Sequence, residues 1–264
     1  MTGVRPARVA LIALCAVIAL WLVAPTLVVI PMSFTEAKSF GFPPKGFTTE
    51  WYSNFFSNPA WYDALVTSLQ VAVLVTVVAV VLGTAAAFAL VRGRFPGKGV
   101  VSALLLAPMI VPLVVIAVGI FSVYLRWQLS GKTLGFVLAH TTLAIPFVII
   151  TVSASVRTLD RRLELAAASL GATPLTTLRT VTLPLIRPGL LAGALFAFIT
   201  SFDEVVVALF LQSPTVRTLP VQMFTSVTRE IDPTLAAAST MIITLTTSLI
   251  LLSLFFRERG SYGR

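Results

Sequence analysis

Long charge-free apolar runs alternate along the chain with short basic segments. Val9 to Thr35, Ala64 to Val91, Gly99 to Leu125, Thr133 to Val156 and Pro233 to Phe256 hold no charged residue. Between Pro188 and Leu211 the only charges are Asp203 and Glu204. Each run reaches the roughly 20 residues that a helix needs to cross the hydrocarbon of a bilayer. The pattern predicts an all-α, polytopic membrane protein with six transmembrane helices, at about 9–32, 65–91, 100–125, 134–156, 189–211 and 234–256. The first run is much longer than a signal-peptide core of roughly 7–15 residues, and no small-x-small cleavage site follows it, so it is expected to stay as a span. No internal repeat, low-complexity tract or soluble domain is visible, and residues 1–264 read as one transmembrane domain.

Composition closes off the soluble alternatives. Hydrophobic residues make up 57% and charged residues 11% of the 264 positions, with a mean hydropathy of +0.98. A soluble domain carries roughly 45–50% apolar and about 25% charged residues. The net charge of +9 would suggest nucleic acid in a soluble protein, but basic loops beside spans set topology instead, and no nucleic-acid partner is expected. With the N-terminus inside, 13 basic residues fall on the inner side: Arg5, Arg8, Arg92, Arg94, Lys98, Arg157, Arg161, Arg162, Arg179, Arg187, Arg257, Arg259 and Arg264. Six fall outside: Lys38, Lys45, Arg126, Lys132, Arg217 and Arg229. Both termini are therefore expected in the cytoplasm. The single cysteine, Cys15, follows Leu14 in an apolar run and reads as a hydrophobe facing lipid or core. In the outer loop 33–64, Trp51, Tyr52, Phe55, Phe56, Trp61 and Tyr62 suit an interfacial helix at headgroup depth.

The largest inner segment, 157–187, has its own pattern. Asp160 suits an N-cap and Gly171 a stop, leaving room for a helix of about ten residues. Leu163, Ala166, Ala167 and Leu170 share one face of it. Thr173-Pro174 reads as a second N-cap with proline in the first turn, and Leu175, Leu178 and Val181 form the next apolar stripe. Pro184 and Pro188 are expected to end that helix before span five. A small-residue face lets another surface approach closely, yet such a helix can also merely cover the spans.

This segment resembles the EAA loop of permease subunits of bacterial ABC importers: a Glu-Ala-Ala triplet, a glycine four residues later, then Leu-Pro about a dozen residues on. Ala166-Ala167, Gly171 and Leu183-Pro184 match; the triplet's glutamate is Leu165, with Glu164 one residue before it. The stretch Gly83 to Gly97 is similar to the end of that family's second span, and Ala139 to Phe147 to its fourth. Ser201-Phe-Asp-Glu-Val-Val-Val207 is similar to the fifth span of the polyamine (spermidine/putrescine) branch. The resemblance implies a type I importer permease fold in the bacterial inner membrane. It implies a second permease subunit as a heterodimeric partner, and a periplasmic solute-binding protein. It also implies two ATP-binding cassette subunits seated on loop 157–187 through Glu164, Leu165, Ala166, Ala167, Gly171, Leu183 and Pro184. This chain has no GxxxxGK[ST] phosphate loop, so ATP and Mg are expected on those partners, with no cofactor or metal held here and no enzymatic activity of its own.

Asp203 and Glu204 lie about 15 residues from the inner end of span five, roughly 22 Å up a helix rising ~1.5 Å per residue. A carboxylate at that depth is costly unless paired or wetted. Because successive residues differ by about 100° around a helix, only one of the pair can point straight into a cavity. One reading has Asp203 and Glu204, with Ser201 and Phe202 beside them, lining a path for a cationic solute. The other makes the acids structural, bonded to a partner permease or to Arg217. His140, the only histidine, suits hydrogen bonding between helices. Pro108, Pro112 and Gly119 read as kinks in span three, serving gating or packing. The leading function is ATP-coupled import of a small cation, most of all a polyamine. An ion-gradient transporter using Asp203 and Glu204, or an ABC permease for thiamine, iron or another small solute, are the rivals.

Overall fold

In hydrocarbon every backbone N–H and C=O has to be satisfied within its own segment, so charge-free runs fold as helices. The computed structural model describes residues 6–38, 41–229 and 232–261. Its helices are α1 (Pro6–Met32), α2 (Glu50–Ser57), α3 (Pro59–Arg92), α4 (Lys98–Leu106), α5 (Leu113–Arg126), α6 (Thr133–Thr158), α7 (Arg161–Ser169), α8 (Pro174–Thr177), α9 (Leu183–Phe202), α10 (Val206–Leu211), α11 (Leu219–Arg229) and α12 (Thr234–Ser261). Among the described residues five segments are long and apolar enough to cross a membrane, or six if a bent pair counts as one span. Arg5 and Arg264 lie outside the described residues, as do the side chains of Arg229, Arg257 and Arg259.

The structure corrects the sequence reading of the helices in three places. Span three is two helices, α4 and α5, bent by 100°. A short 3-10 turn, Ala107–Met109, carries Pro108, and Pro112 precedes α5. Two prolines four residues apart explain the bend. Each lacks an N–H, the ring of Pro112 would strike the carbonyl of Pro108, and Val111 is pushed away from helical geometry. Gly119 lies inside α5 without a break. Span five stops at Phe202 and resumes at Val206. Conversely, Pro184 and Pro188 do not end the second inner helix. A five-residue π segment, Leu178–Thr182, joins α8 to α9, so one helical path runs from Pro174 to Phe202. The wider π turn leaves room for the Pro184 ring, which sits in the first turn of α9.

The chain forms two compact units. One comprises Met1–Tyr62 with Thr225–Thr247. In it, α1 exposes its side chains from Arg8 to Val23, Cys15 included. The aromatic loop departs from the interfacial reading: Trp51, Phe55 and Trp61 are buried, whereas Phe56 and Tyr62 are exposed. Trp51 and Phe55 fall on one stripe of α2. The indole N–H of Trp51 donates to the Thr35 carbonyl at 2.6 Å, and the amide of Asn54 donates to the Thr234 hydroxyl at 2.7 Å. These bonds hold the short helix against its own unit.

The other unit comprises Asp63–Phe224 with Ser248–Arg264. Its centre is α6, the most buried of the spanning helices. Lipid is as apolar as leucine, so helices associate in a membrane by close packing at small residues rather than by exclusion from water. Here α9 presents Gly189 and Gly193, a small-xxx-small pair, to α6. A Cβ at Gly189 would lie 2.8 Å from the Thr151 carbonyl oxygen and strike the Ser155 hydroxyl. One at Gly193 would lie 2.8 Å from the Thr151 hydroxyl. Gly83 of α3 does the same beside Val148, at 2.7 Å. We predict that Gly189→Val separates α6 from α9 at a cost of about 1–3 kcal/mol. It should lower the melting temperature of the detergent-purified protein. Gly119→Ala, which has nothing within 4 Å of its new methyl group, should leave that temperature unchanged or slightly raised.

Candidate functional site

The break in span five is made by its own acidic side chain. Glu204 turns back over the start of α10, where its Oε1 accepts the Val207 N–H at 2.8 Å and its Oε2 the Ala208 N–H at 2.9 Å. The first N–H groups of a helix have no partner within it, and the helix N-terminus favours a negative charge. A carboxylate that satisfies two of them can therefore stay in an apolar span. The same Oε2 lies 3.4 Å from Nε2 of His140 on α6, an electrostatic contact too long for a well-directed hydrogen bond. Nδ1 of His140 shares a hydrogen bond with the Ser201 hydroxyl at 3.1 Å. His140 is wholly enclosed, and Phe136 meets its ring edge-on at 5.8 Å.

The four predicted pathway residues therefore separate. Ser201, Phe202 and Glu204 are buried within this unit. Asp203, the residue after the last turn of α9, is exposed. Arg217, the other partner considered for the acids, instead donates to Gln222 Oε1 at 2.9 Å. Sequence reasoning missed the His140–Glu204 contact. A signal for it existed: a histidine and an acid are both costly inside apolar spans, so each needs a partner at depth.

The inner segment folds as its caps dictate. Asp160 accepts the Arg162 N–H at 2.9 Å to open α7. Gly171 closes it with φ +86°, a left-handed conformation that favours glycine. The N–H of Ala172 reaches the Ala167 carbonyl at 3.0 Å and that of Gly171 the Ala168 carbonyl at 2.9 Å, the paired bonds of a Schellman stop. Thr173 then accepts the Thr176 N–H at 3.2 Å, with Pro174 in the first turn. Leu163, Leu165, Ala166 and Leu170 are exposed, Ala167 is half-buried, and Pro184 is exposed beside half-buried Leu183.

Glu164 faces the other way, into the chain. Nη1 of Arg92, at the end of α3, lies 2.9 Å from each of its carboxylate oxygens. The hydroxyl of Thr182, in the π segment, donates to Oε1. Arg92 in turn stacks over the Phe88 ring, 5.1 Å from its centroid. Partial burial pushes the Glu164 carboxyl up, but the Thr182 hydroxyl and Arg92, aided by Arg161, outweigh it and hold the carboxyl below its ordinary range. The group is thus ionised throughout neutral pH.

The family described as binding-protein-dependent transport system inner membrane component matches residues 79–259. The chain belongs to this family. It is similar to the spermidine/putrescine transport system permease protein PotC of Haemophilus influenzae, 32% identical across 92% of this chain and 94% of that one. It is similar to the putrescine transport system permease protein PotI of Escherichia coli K12, 34% identical across 84% and 82%. It also resembles the trehalose transport system permease protein SugB of Mycobacterium tuberculosis, 32% identical across 82% and 80%. Among solved structures, a bacterial ABC transporter that imports the acidic polysaccharide alginate superposes with a TM-score of 0.69 over the whole of both chains, at 16% identity. The alginate transporter bound to its periplasmic protein gives 0.72, covering 95% and 94%. The fold is that of an ABC importer permease, an inner membrane component with five spanning helices, or six with the bent pair counted as one span.

Two residues define the ends of α7, and each can be tested alone. Asp160→Ala removes a cap worth about 0.5–2 kcal/mol, and Gly171→Ala imposes a side chain on a positive φ at a cost above roughly 0.4–1 kcal/mol. Each should speed hydrogen exchange of amides 161–172 by about 2- to 30-fold, read by mass spectrometry, and leave α6 unaffected.

Proposed function

We propose that this chain is one of two permease subunits of an ATP-driven importer for a small organic cation, a polyamine of the spermidine/putrescine class. Loop 157–187 seats the ATP-binding cassette subunits, which carry ATP and Mg, and a periplasmic binding protein delivers the solute. Both termini lie in the cytoplasm, as the 13-to-6 division of basic residues supports. The observation that carries the substrate reading is the division of labour at the break in span five. Glu204 is consumed by the amides of α10 and by His140, whereas Asp203 is exposed with no such cap to hold. Asp203 is then the carboxylate that replaces water around an ammonium group on the translocation path. Glu204 shapes the break that presents it. The polyamine names of the PotC and PotI relatives support the same choice.

A neutral sugar is the second reading, favoured by 32% identity to the trehalose permease SugB. Uptake of radiolabelled putrescine and of radiolabelled trehalose separates the two. It is measured in cells expressing the chain with the remaining subunits of its system. Under the polyamine reading, Asp203→Asn raises the KM for putrescine about 10- to 100-fold, the loss of one hydrogen bond to a charged group worth roughly 1.5–3 kcal/mol. Glu204→Gln lowers the maximal rate with little change in KM. A wild-type chain that takes up trehalose and no putrescine, or an Asp203→Asn variant with an unchanged KM, overturns the polyamine assignment.

A further inference from the structure

We propose that Glu164 is a positioning residue that ties the coupling helix α7 to the inner ends of two spans, α3 and α9, so that movement of α7 reaches the membrane. The proposal rests on the reading that loop 157–187 seats an ATPase. It starts from what α7 lacks. No side chain of this nine-residue helix is buried. Helices normally transmit displacement through interdigitated side chains, because packed contacts resist sliding. An exposed helix with an αL glycine at one end would swing on its loops when pushed, leaving the spans behind.

The polar contacts of Glu164 supply what packing does not. Its carboxylate meets Arg92 with both oxygens at 2.9 Å, and Arg92 sits in the last turn of α3. Thr182 adds a second link, to the π segment at the foot of α9. Thr182 is itself buried and Arg92 is braced over Phe88, so both anchors are fixed on their own spans. Charge-assisted hydrogen bonds of this kind are short and about twice as strong as neutral ones. The exposed residues Leu163, Leu165 and Leu170 lie on other faces of α7. Docking and transmission thus use different side chains, and Glu164 serves the second.

The test uses the assembled transporter in proteoliposomes: this chain with its partner permease, ATPase subunits and binding protein. Three quantities are read: co-purification of the ATPase, ATP hydrolysis, and solute imported per ATP. The solute is radiolabelled putrescine, or trehalose where the wild type moves only that. Glu164→Gln and Arg92→Gln should keep the ATPase bound and hydrolysing at half the wild-type rate or better, while solute per ATP falls at least fivefold. Thr182→Val, which leaves no unpaired charge, should lower the ratio two- to threefold. The exchanged pair Arg92→Glu with Glu164→Arg should return it to within twofold of wild type. A wild-type ratio in both Glu164→Gln and Thr182→Val overturns the proposal. Loss of the ATPase from Glu164→Gln also overturns it, by making Glu164 a docking residue. A wild-type chain that fails to hold an ATPase removes the coupling reading, and the tie with it.

Discussion

A carboxylate inside an apolar span must be compensated where it stands, and the compensation of Glu204 organises the break in span five. Burying an ion without partners costs several kcal/mol even after relaxation. Glu204 finds its partners by stopping the helix that carries it: the freed amides of Val207 and Ala208 become its hydrogen-bond donors. The break and the charge are therefore one feature. His140 can approach this carboxylate only because α6 and α9 lie close, and they lie close because Gly189 and Gly193 carry no side chain to hold them apart. A glycine pair on α9 thus helps to set a polar contact about three to four helical turns away.

The inner segment obeys the same constraint in a wetter setting. Glu164 is partly exposed, so its ion pair with Arg92 is screened more than the contact of Glu204 with His140. Its value lies in geometry rather than in stability. It joins three elements that are distant in sequence, α3, α7 and the π segment. The π segment has two consequences at one point, since it accommodates Pro184 and it carries the Thr182 hydroxyl that reaches Glu164. π segments are rare because their hydrogen bonds are poorer, and a helix retains one where something is gained from it.

Local features of this fold were legible in the sequence, and features that depend on distant contacts were not. Asp160, Gly171 and Thr173 act through bonds spanning only two to five residues, so their pattern fixes both ends of α7 and the start of α8. The apolar runs were legible because hydrocarbon imposes length and composition directly. Prolines were harder. Pro112 breaks span three, whereas Pro184 and Pro188 are absorbed into a continuous helical path, and the difference depends on the turn geometry available on each side. Trp51, Phe55 and Trp61 looked interfacial because an aromatic stripe is the same string of letters whether it faces headgroups or a backbone carbonyl such as that of Thr35. Which of Asp203 and Glu204 turns inward was hidden for a related reason. Glu204 is held by the amides of Val207 and Ala208 and also lies beside His140, which comes from more than sixty positions earlier in the chain.

The direction of Asp203 bears on why relatives of similar identity carry such different solutes. A polyamine has two or more ammonium groups, and each needs its hydration replaced by oxygen ligands or by aromatic faces before it can leave water. On the proposed reading, Asp203 is one carboxylate and neutralises one of them. The remaining charge then falls to other groups in the assembly, so Asp203 accounts for only part of the specificity. A change at or beside Asp203 could then convert a cation path to a neutral one while leaving the α6–α9 packing, the Glu204 cap and the Glu164 tie intact. Identities of 32% to a spermidine/putrescine permease and 32% to a trehalose permease are what a shared scaffold with so small a specificity element would produce.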